Sequence, residues 1–574
     1  MPELNWVGKD KVITHHLDVP YRVLDRQYSF DKDGQHEADN GSENMIIHGD
    51  NLEALKALLP RYEGKVDCIY IDPPYNTGNE GWVYNDAVND PRIKKWIGEV
   101  VGKEGDDLSR HDKWLCMMYP RLRLLQRLLA PTGTIFISID DHEQASLKLI
   151  CDEIFGTRNH LVTFVWESSG NTDNQGDIIG THEYILTYSR NRSLSAINAV
   201  VDPNIPADSK IRRNFVENSA IKNGFKNPPS IVELPKGFPC IEATLDLPRH
   251  EFAEEFMEKS REFGYIPRSL GKEYAANYPL RLDDIRVRAG KLVSPCRVFT
   301  GWMNAKKLRA FINNSCNPVP EGASHFHFYL TKTGAVYYRK EGRQSHYVQS
   351  VLRNMGTTET NKYALEAMGL TFDYPKPVEL LEYLISLYVP HEGVVLDSFA
   401  GSGTTGHAVL NLNRRDKGKR HFILVELGDY AKNLTAARVE GAIRSDHELP
   451  GGERESFTYY ELGAPLLVDG ELNPDVPVER VREYVWFTET QQPFVEPEVE
   501  GHPYFLGTAN RAAYHFIFEP DQVTTLEHEF VAGLTPEVVS DSLVVYADVC
   551  ALSEAELARW SITFKKIPRD ITRL

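Results

Sequence analysis

The chain is poor in cysteine, in long apolar runs and in net positive charge, and each shortage narrows the range of functions. Its seven cysteines (Cys68, Cys116, Cys151, Cys240, Cys296, Cys316, Cys550) are scattered, odd in number and nowhere spaced as Cys-x-x-Cys. That disfavours a disulfide framework and a zinc site, and a reducing cytoplasm is the expected setting. No apolar stretch approaches a membrane span and the N-terminus lacks the apolar core of a signal peptide, so no membrane role is expected. The formal net charge of -18 lowers the expectation of a nucleic-acid partner only modestly, because a local basic groove can coexist with acidic outer surfaces. What is present, 41% hydrophobic and 25% charged residues over 574 positions, suits a globular chain of roughly three or four domains.

The most informative stretch is Asp72-Pro73-Pro74-Tyr75. The run from Lys65 to Ile71 reads as a short buried strand and Asn76-Thr77-Gly78 as a turn, so Asp72 falls at a strand's carboxyl end, where open α/β sheets place their ligands. Two prolines give a rigid loop whose carbonyls are free acceptors. With one carboxylate and one aromatic face, such a loop can accept two hydrogen bonds from an amino group on a planar ring while Tyr75 stacks on that ring. The two acceptors, the Asp72 carboxylate and the Pro73 carbonyl, would localise the amine lone pair for attack on a sulfonium methyl. The bland alternative is a Pro-Pro turn with an incidental acid and aromatic.

Residues 1 to 40 show little periodicity and read as an arm. Met45 to Asp50 reads as a strand ending in an acidic turn, followed by a helix from Asn51 that Pro60 ends. Asp50 suits a helix cap and a ligand contact about equally. Residues 79 to 112 read as a polar loop. Trp114 to Leu129 reads as an amphipathic helix with Arg121, Arg123 and Arg127 on its polar face, and further strands are read at 134–141, 161–167 and 182–189 in a largely parallel sheet. From about 200 to 350 the alternation gives way to short strands, Pro and Gly. Basic clusters there include Lys306/Lys307 and Arg339/Lys340/Arg343, with Phe326, Phe328, Tyr329, Tyr337 and Tyr338 interleaved. This reads either as a solvated β-rich insert or as a nucleic-acid-binding module.

Order returns at Tyr374-Pro375-Lys376-Pro377 and then at a strand ending in Asp397, followed by Ser398-Phe399-Ala400-Gly401-Ser402-Gly403-Thr404-Thr405-Gly406, which contains G-x-G-x-x-G. Gly401 and Gly403 permit a tight turn close to a ligand, and the strand 421–426 ends in Glu426, an acid able to hold a ribose. A nicotinamide dinucleotide and S-adenosylmethionine compete for this pocket. Asp397 suits the methionine ammonium better than a pyrophosphate, and the amine-gripping Asp72 loop has a use only in methyl transfer.

Asp72-Pro-Pro-Tyr75 followed far downstream by Phe399-Ala400-Gly401-Ser402-Gly403 resembles the amino-directed DNA methyltransferases of the permuted β class. Further matches are His48 to Glu53, Phe136 to Asp141, His182 to Leu186, Tyr374 to Pro377 and Phe422 to Glu426. With the long insert between the halves, the set is similar to the Mod (modification) subunits of type III restriction-modification systems. The resemblance implies a Rossmann-like α/β methyltransferase sheet of seven strands with a β-rich inserted target recognition domain and a small C-terminal domain. The implied layout is 1–40 arm, 41–199 catalytic half, 200–350 target recognition, 351–448 cofactor half and 449–574 C-terminal domain.

By the same resemblance, Asp72, Pro73, Pro74 and Tyr75 would grip a flipped base. Asp50, Asp397, Phe399, Ala400, Gly401, Gly403, Thr404 and Glu426 would line the S-adenosylmethionine site, with Lys376 and Pro377 closing over it. Arg339, Lys340, Arg343, Lys306 and Lys307 would meet double-stranded DNA. No metal is expected. Asp at the first motif position favours adenine N6 over cytosine N4. The implied setting is a restriction system, with a second copy of the chain and a helicase-nuclease subunit as candidate partners. An RNA-directed enzyme and a non-catalytic DNA-recognition scaffold are the rivals. Gly403→Val is expected to place a side chain where the cofactor lies.

Overall fold

The computed structural model describes residues 4–77, 110–168, 180–206, 208–322, 324–342, 347–444 and 455–569. Arg343, Gly78 and nearly all of the loop read at 79 to 112 lie outside the described residues. The chain divides into two compact units, Met1–Asn198 with Gln349–Leu574, and Ala199–Val348.

The first unit is built on an eleven-stranded sheet, not the seven strands the resemblance implies. In chain order these are β1 (Arg22–Asp31), β2 (Gly34–His36), β3 (Met45–His48), β4 (Val66–Ile71), β5 (Leu129–Ile139), β6 (His160–Glu167), β7 (His182–Ser189), β8 (Val351–Leu352), β9 (Val394–Asp397), β10 (His421–Glu426) and β11 (Ser456–Pro465). Their spatial order is β8-β6-β7-β5-β4-β9-β10-β3-β11-β1-β2. The run from β5 to β11 is parallel throughout, whereas β7 is antiparallel to both its neighbours and β1 to both of its own. The central strands read as near-continuous apolar runs because both faces are covered: Cys68, Ile69, Leu396 and Phe422 to Val425 are fully buried.

β4 and β9, more than 300 residues apart in the chain, lie side by side with Cys68 opposite Val395 and Ile69 opposite Leu396. From β4 the chain passes outward to β5, and from β9 it passes the other way to β10, so the strand order reverses between them. Ligand crevices of open α/β sheets form beyond the carboxyl ends at such a reversal. The ends of β4, β9, β10 and β3 bring Asp72, Asp397, Glu426 and Asp50 to that edge.

Three sequence readings need correcting here. Residues 1–40 are not merely an arm, nor is 449–574 wholly a separate domain, because β1 and β11 pair antiparallel and extend the central sheet, with Ser29 and Thr458 hydroxyls 3.1 Å apart. The helix α1 (Asn51–Tyr62) runs through Pro60, which sits in its last turn. In α2 (Arg110–Leu128), Arg121 does not face solvent but is buried, bonded to the Met117 carbonyl at 2.8 Å and to α1. Beyond β11, the strands Phe505–Ala509, Ala512–Phe516, Ser542–Ala547 and Ile562–Lys566 form a small separate sheet.

The second unit holds three small antiparallel sheets and helices Ala253–Phe263, Arg268–Glu273 and Ala305–Asn313 around a core that includes Phe238, Trp302, Phe311, Phe328 and Val336. Its largest sheet runs Val319–Glu321, Ser324–Leu330, Val336–Glu341, Phe215–Ser219.

Candidate active site

Asp72 leaves β4 into a loop fastened from below. The Trp114 indole donates to the Pro74 carbonyl at 2.7 Å, which commits that acceptor. Among the described residues no donor reaches the Pro73 carbonyl. Asn76 takes a left-handed φ of 60° and its amide bonds to the fully buried carboxylate of Glu143, turning the chain sharply. Tyr75 is 6% exposed, and its hydroxyl donates to Glu183 Oε2 at 2.7 Å. Lys376 donates to Asp72 Oδ2 at 2.8 Å, and Asp72 Oδ1 is buried without a partner among the described residues. Burial pushes the Asp72 carboxyl above its usual range, against the opposing pull of Lys376.

The glycine turn joins β9 to the helix α3 (Thr404–Asp416). Gly401 and Gly403 both hold positive φ, 51° and 78°. Asp397, 2% exposed, accepts from the Phe399 amide at 3.0 Å and from the Thr405 hydroxyl at 2.5 Å. Burial, with smaller repulsions from Asp72 and Glu426, pushes it up to about 7. Glu426 accepts from the Gly401 amide at 2.7 Å, the Gly428 amide at 2.8 Å and the Tyr430 hydroxyl at 3.0 Å, so this acid braces the turn. Ala400 bonds by its amide to the Val425 carbonyl, and half-buried Phe399 packs against the main core. Ser398 Oγ is buried without a partner.

A Cβ on Gly403 would meet the Thr435 carbonyl oxygen at 2.7 Å, so the glycine makes room for neighbouring backbone. Asp50 caps α1, accepting from the Leu52 amide at 2.8 Å and the Glu53 amide at 3.3 Å, and its other oxygen lies 3.2 Å from Arg121. Asn51 donates to the Ser398 carbonyl and accepts from Arg121 Nε, so Arg121 links both strand ends. Lys376 turns to the Asp72 loop, where its ammonium pairs with the Asp72 carboxylate, while Pro377 caps the helix Val378–Tyr388.

Several members of the site went unread in the sequence. Glu183 lies in the His182 to Leu186 stretch, whose sequence alone gives it no role. Arg121 follows Met117 and Met118 at helical spacing, which was the signal for its buried side. Arg438, 2% exposed, donates to the Ser402 and Thr404 hydroxyls at 2.8 and 2.7 Å, and burial pushes its pKa down to about 10. A lone arginine in a polar helix gave no signal.

The basic candidates of the second unit are paired within it. Glu321 holds both Lys307 and Lys340, at 2.5 and 3.2 Å, and the two ammonium groups lie over the Phe326 ring. Arg339 pairs with Glu217 at 3.0 Å and stacks on Phe215. Lys306 is exposed. Of the aromatics interleaved with the basic clusters, Phe326, Phe328 and Tyr338 belong to the core of this unit.

Asp72, Asp397 and Glu426 repel one another at neighbouring strand ends, with Asp397 strained towards protonation, while Asp50 is offset by Arg121; the three acids suit a cationic guest better than a pyrophosphate. Among the described residues no group of His, Cys, Asp and Glu side chains could hold a metal. No described helix is long and apolar enough to cross a membrane.

A family model for DNA methylases matches residues 66–437. The chain is 31% identical over 454 residues to the EcoP15I Mod subunit of a type III restriction-modification enzyme from Escherichia coli, covering 76% of this chain and 66% of that one. It is 32% identical over 444 residues to the EcoPI Mod subunit of Escherichia phage P1, covering 74% and 63%. These matches thus span somewhat less than two thirds of those relatives' length. A solved structure, the cytosine-N4-specific PvuII DNA methyltransferase, is 12% identical, with coverage of 71% of this chain and 89% of that one and a TM-score of 0.26. With the family model spanning well over half of its length, the chain belongs to the DNA methylase family.

Proposed function

We propose that the protein is a site-specific DNA methyltransferase that moves a methyl group from S-adenosylmethionine to N6 of a flipped adenine, and that it serves as the modification subunit of a restriction system. The observation that carries this is the pair of acceptors at the end of β4, Asp72 Oδ1 and the Pro73 carbonyl, neither of which meets a donor among the described residues, beside acids at the sheet's reversal point.

The residues fit that cofactor. Asp397 is buried and repelled by Asp72 and Glu426, and a guest with an ammonium and a sulfonium relieves the strain; Ser398 Oγ is a spare partner beside it. When bound, S-adenosylmethionine supplies an electrophilic methyl carbon. Asp72 Oδ1 and the Pro73 carbonyl each accept one amine hydrogen and draw the lone pair out of conjugation with the ring. The nitrogen–carbon bond would form as the methyl carbon leaves the sulfonium sulfur, with S-adenosylhomocysteine departing as a neutral thioether; Asp72 would stabilise the positive charge gained by the nitrogen and would be the adjacent acceptor for the one proton it gives up. Rate enhancement comes from positioning and from charge arranged in advance.

Adenine is favoured over cytosine by the aspartate at the head of the loop, and the naming of the relatives as Mod subunits supports a place beside a restriction subunit. Pairing with a second copy belongs to the same reading, as does location in the cytoplasm. Incubating the protein with DNA and labelled cofactor, then digesting to nucleosides, tests the assignment: N6-methyladenine is expected, and N4-methylcytosine alone refutes the base assignment. Co-expression with the product of an adjacent helicase-nuclease gene and co-purification tests the partner.

A further inference from the structure

The Asp72 loop is gripped by a charge network that spans three separate parts of the chain. Lys376 Nζ lies 2.8 Å from Asp72 Oδ2, 3.5 Å from Glu183 Oε2 and 5.0 Å from the centroid of the Tyr75 ring. Tyr75 completes the circuit by donating its hydroxyl to the same Glu183 oxygen at 2.7 Å. The carboxylates are at most 18% exposed and Lys376 is 7% exposed, so these interactions are weakly screened by solvent. Burial works against the Lys376 ammonium, but the two carboxylates outweigh it and hold its pKa above the usual lysine value.

One cation is shared by two acids, so the group carries one net negative charge. Because Nζ occupies Asp72 Oδ2, the carboxylate cannot rotate freely, and Oδ1 is left as the acceptor. The Tyr75 ring, which would meet the base, is tied through its hydroxyl to the acid that steadies Lys376.

We propose that Glu183 and Lys376 are positioning residues of the target-amine site: Lys376 fixes which Asp72 oxygen meets the amine, and Glu183 locks Lys376 and Tyr75 into one unit while supplying the net negative charge that matches a nitrogen turning positive. This rests on reading the Asp72 loop as the amine site. It also takes Lys376 away from the cofactor, where the sequence resemblance put it. Geometric locking of this kind acts on the chemical step and leaves binding largely alone.

The test is Glu183→Gln, which keeps an acceptor for the Tyr75 hydroxyl and removes the charge. The other groups that face Asp72 stay in place: Lys376 after the 349–375 segment, Tyr70 on β4, Tyr75 in the loop and Asp397 on β9. At saturating cofactor and DNA, kcat should fall by about 10- to 100-fold. Calorimetric affinity for S-adenosylmethionine should stay within about twofold. The acid limb of the kcat–pH profile should move to lower pH, since Glu183 repels the Asp72 carboxylate and its loss leaves Lys376 wholly to Asp72. Tyr75→Phe, which cuts the tie to Glu183 and removes a hydroxyl that favours the ionised Asp72 carboxylate, should lower kcat and move the acid limb the other way, to higher pH. An acid limb unmoved in Glu183→Gln overturns the proposal whether kcat falls or holds, because a purely structural acid predicts it. Lost cofactor affinity with kcat preserved overturns it in favour of a cofactor role. Failure of the unaltered protein to methylate any DNA is a separate result, which defeats the underlying reading before any variant is made.

Discussion

The ends of the central strands and the surface of the 199–348 unit use charge in opposite ways. At the strand ends, carboxylates are buried with fewer partners than they can take: Asp72 keeps an idle oxygen, and Asp397 is driven up to about 7 with only hydroxyl and amide donors. In the second unit each described basic candidate except the exposed Lys306 is paired with an acid, Lys307 and Lys340 sharing Glu321 and Arg339 taking Glu217. Buried, under-partnered charge is held ready for a guest, whereas exposed pairs with short reach contribute little to stability, typically below about 1 kcal/mol, and are easily exchanged.

The contrast can be broken most directly at Asp72. Asp72→Ala should reduce single-turnover methylation by about 10²- to 10³-fold while calorimetric cofactor affinity stays within a few-fold. An equal loss of both would erase the division between amine and cofactor ends. Next in size is Gly403→Val. The Thr435 carbonyl 2.7 Å from the new Cβ, together with a φ of 78°, should destabilise the unit by about 2–3 kcal/mol, read as an earlier thermal transition with or without cofactor.

Asp397 sharpens the comparison through pH. Its folded pKa lies above its unfolded value, so its contribution to the stability of the empty protein is present below about 4 and is lost as pH rises through about 7. A cationic guest needs the ionised form, so S-adenosylmethionine affinity should fall by up to about tenfold per pH unit below 7. Asp397→Asn should weaken binding at pH 8 and flatten that dependence in a calorimetric pH series. The smallest effect is expected at Glu321→Gln, which frees Lys307 and Lys340: non-specific DNA affinity should rise by about two- to fivefold and its salt dependence should steepen. No change there would mean that those lysines do not meet DNA.

The legible parts of the molecule were those where local pattern and chemistry coincide. The strand before Asp72, the glycine turn after Asp397 and the acid closing β10 each combine an apolar run with a residue that has little reason to sit at its end, and the sheet brings all three together. What was not legible depends on contacts between distant segments. Nothing local in Arg22–Asp31 or Ser456–Pro465 says that they pair with each other at the sheet's far side. Lys376 followed the resemblance to the cofactor, but its partners lie more than 190 residues away, in Glu183 and Asp72. Gly403 was read as space for a ligand, and the second demand on it, the close approach of the Thr435 carbonyl, comes from a residue more than 30 positions away. The basic clusters could be counted in the sequence, but the acids that hold them, Glu217 and Glu321, come from neighbouring strands.

The pairing of β4 with β9 also sets a timetable for synthesis. During translation at roughly 5–20 residues per second, β4 and its loop are made about 15 to 65 seconds before β9 exists. Through that interval one edge of an apolar strand has no neighbour, which is the condition under which nascent chains aggregate or recruit chaperones. The 199–348 unit, whose contacts are largely its own, can fold while the ribosome completes the cofactor half. Arrest of synthesis near residue 390 should therefore yield a chain with an emerged, folded insert and an open catalytic edge, sensitive to protease before Val394 emerges and protected afterwards.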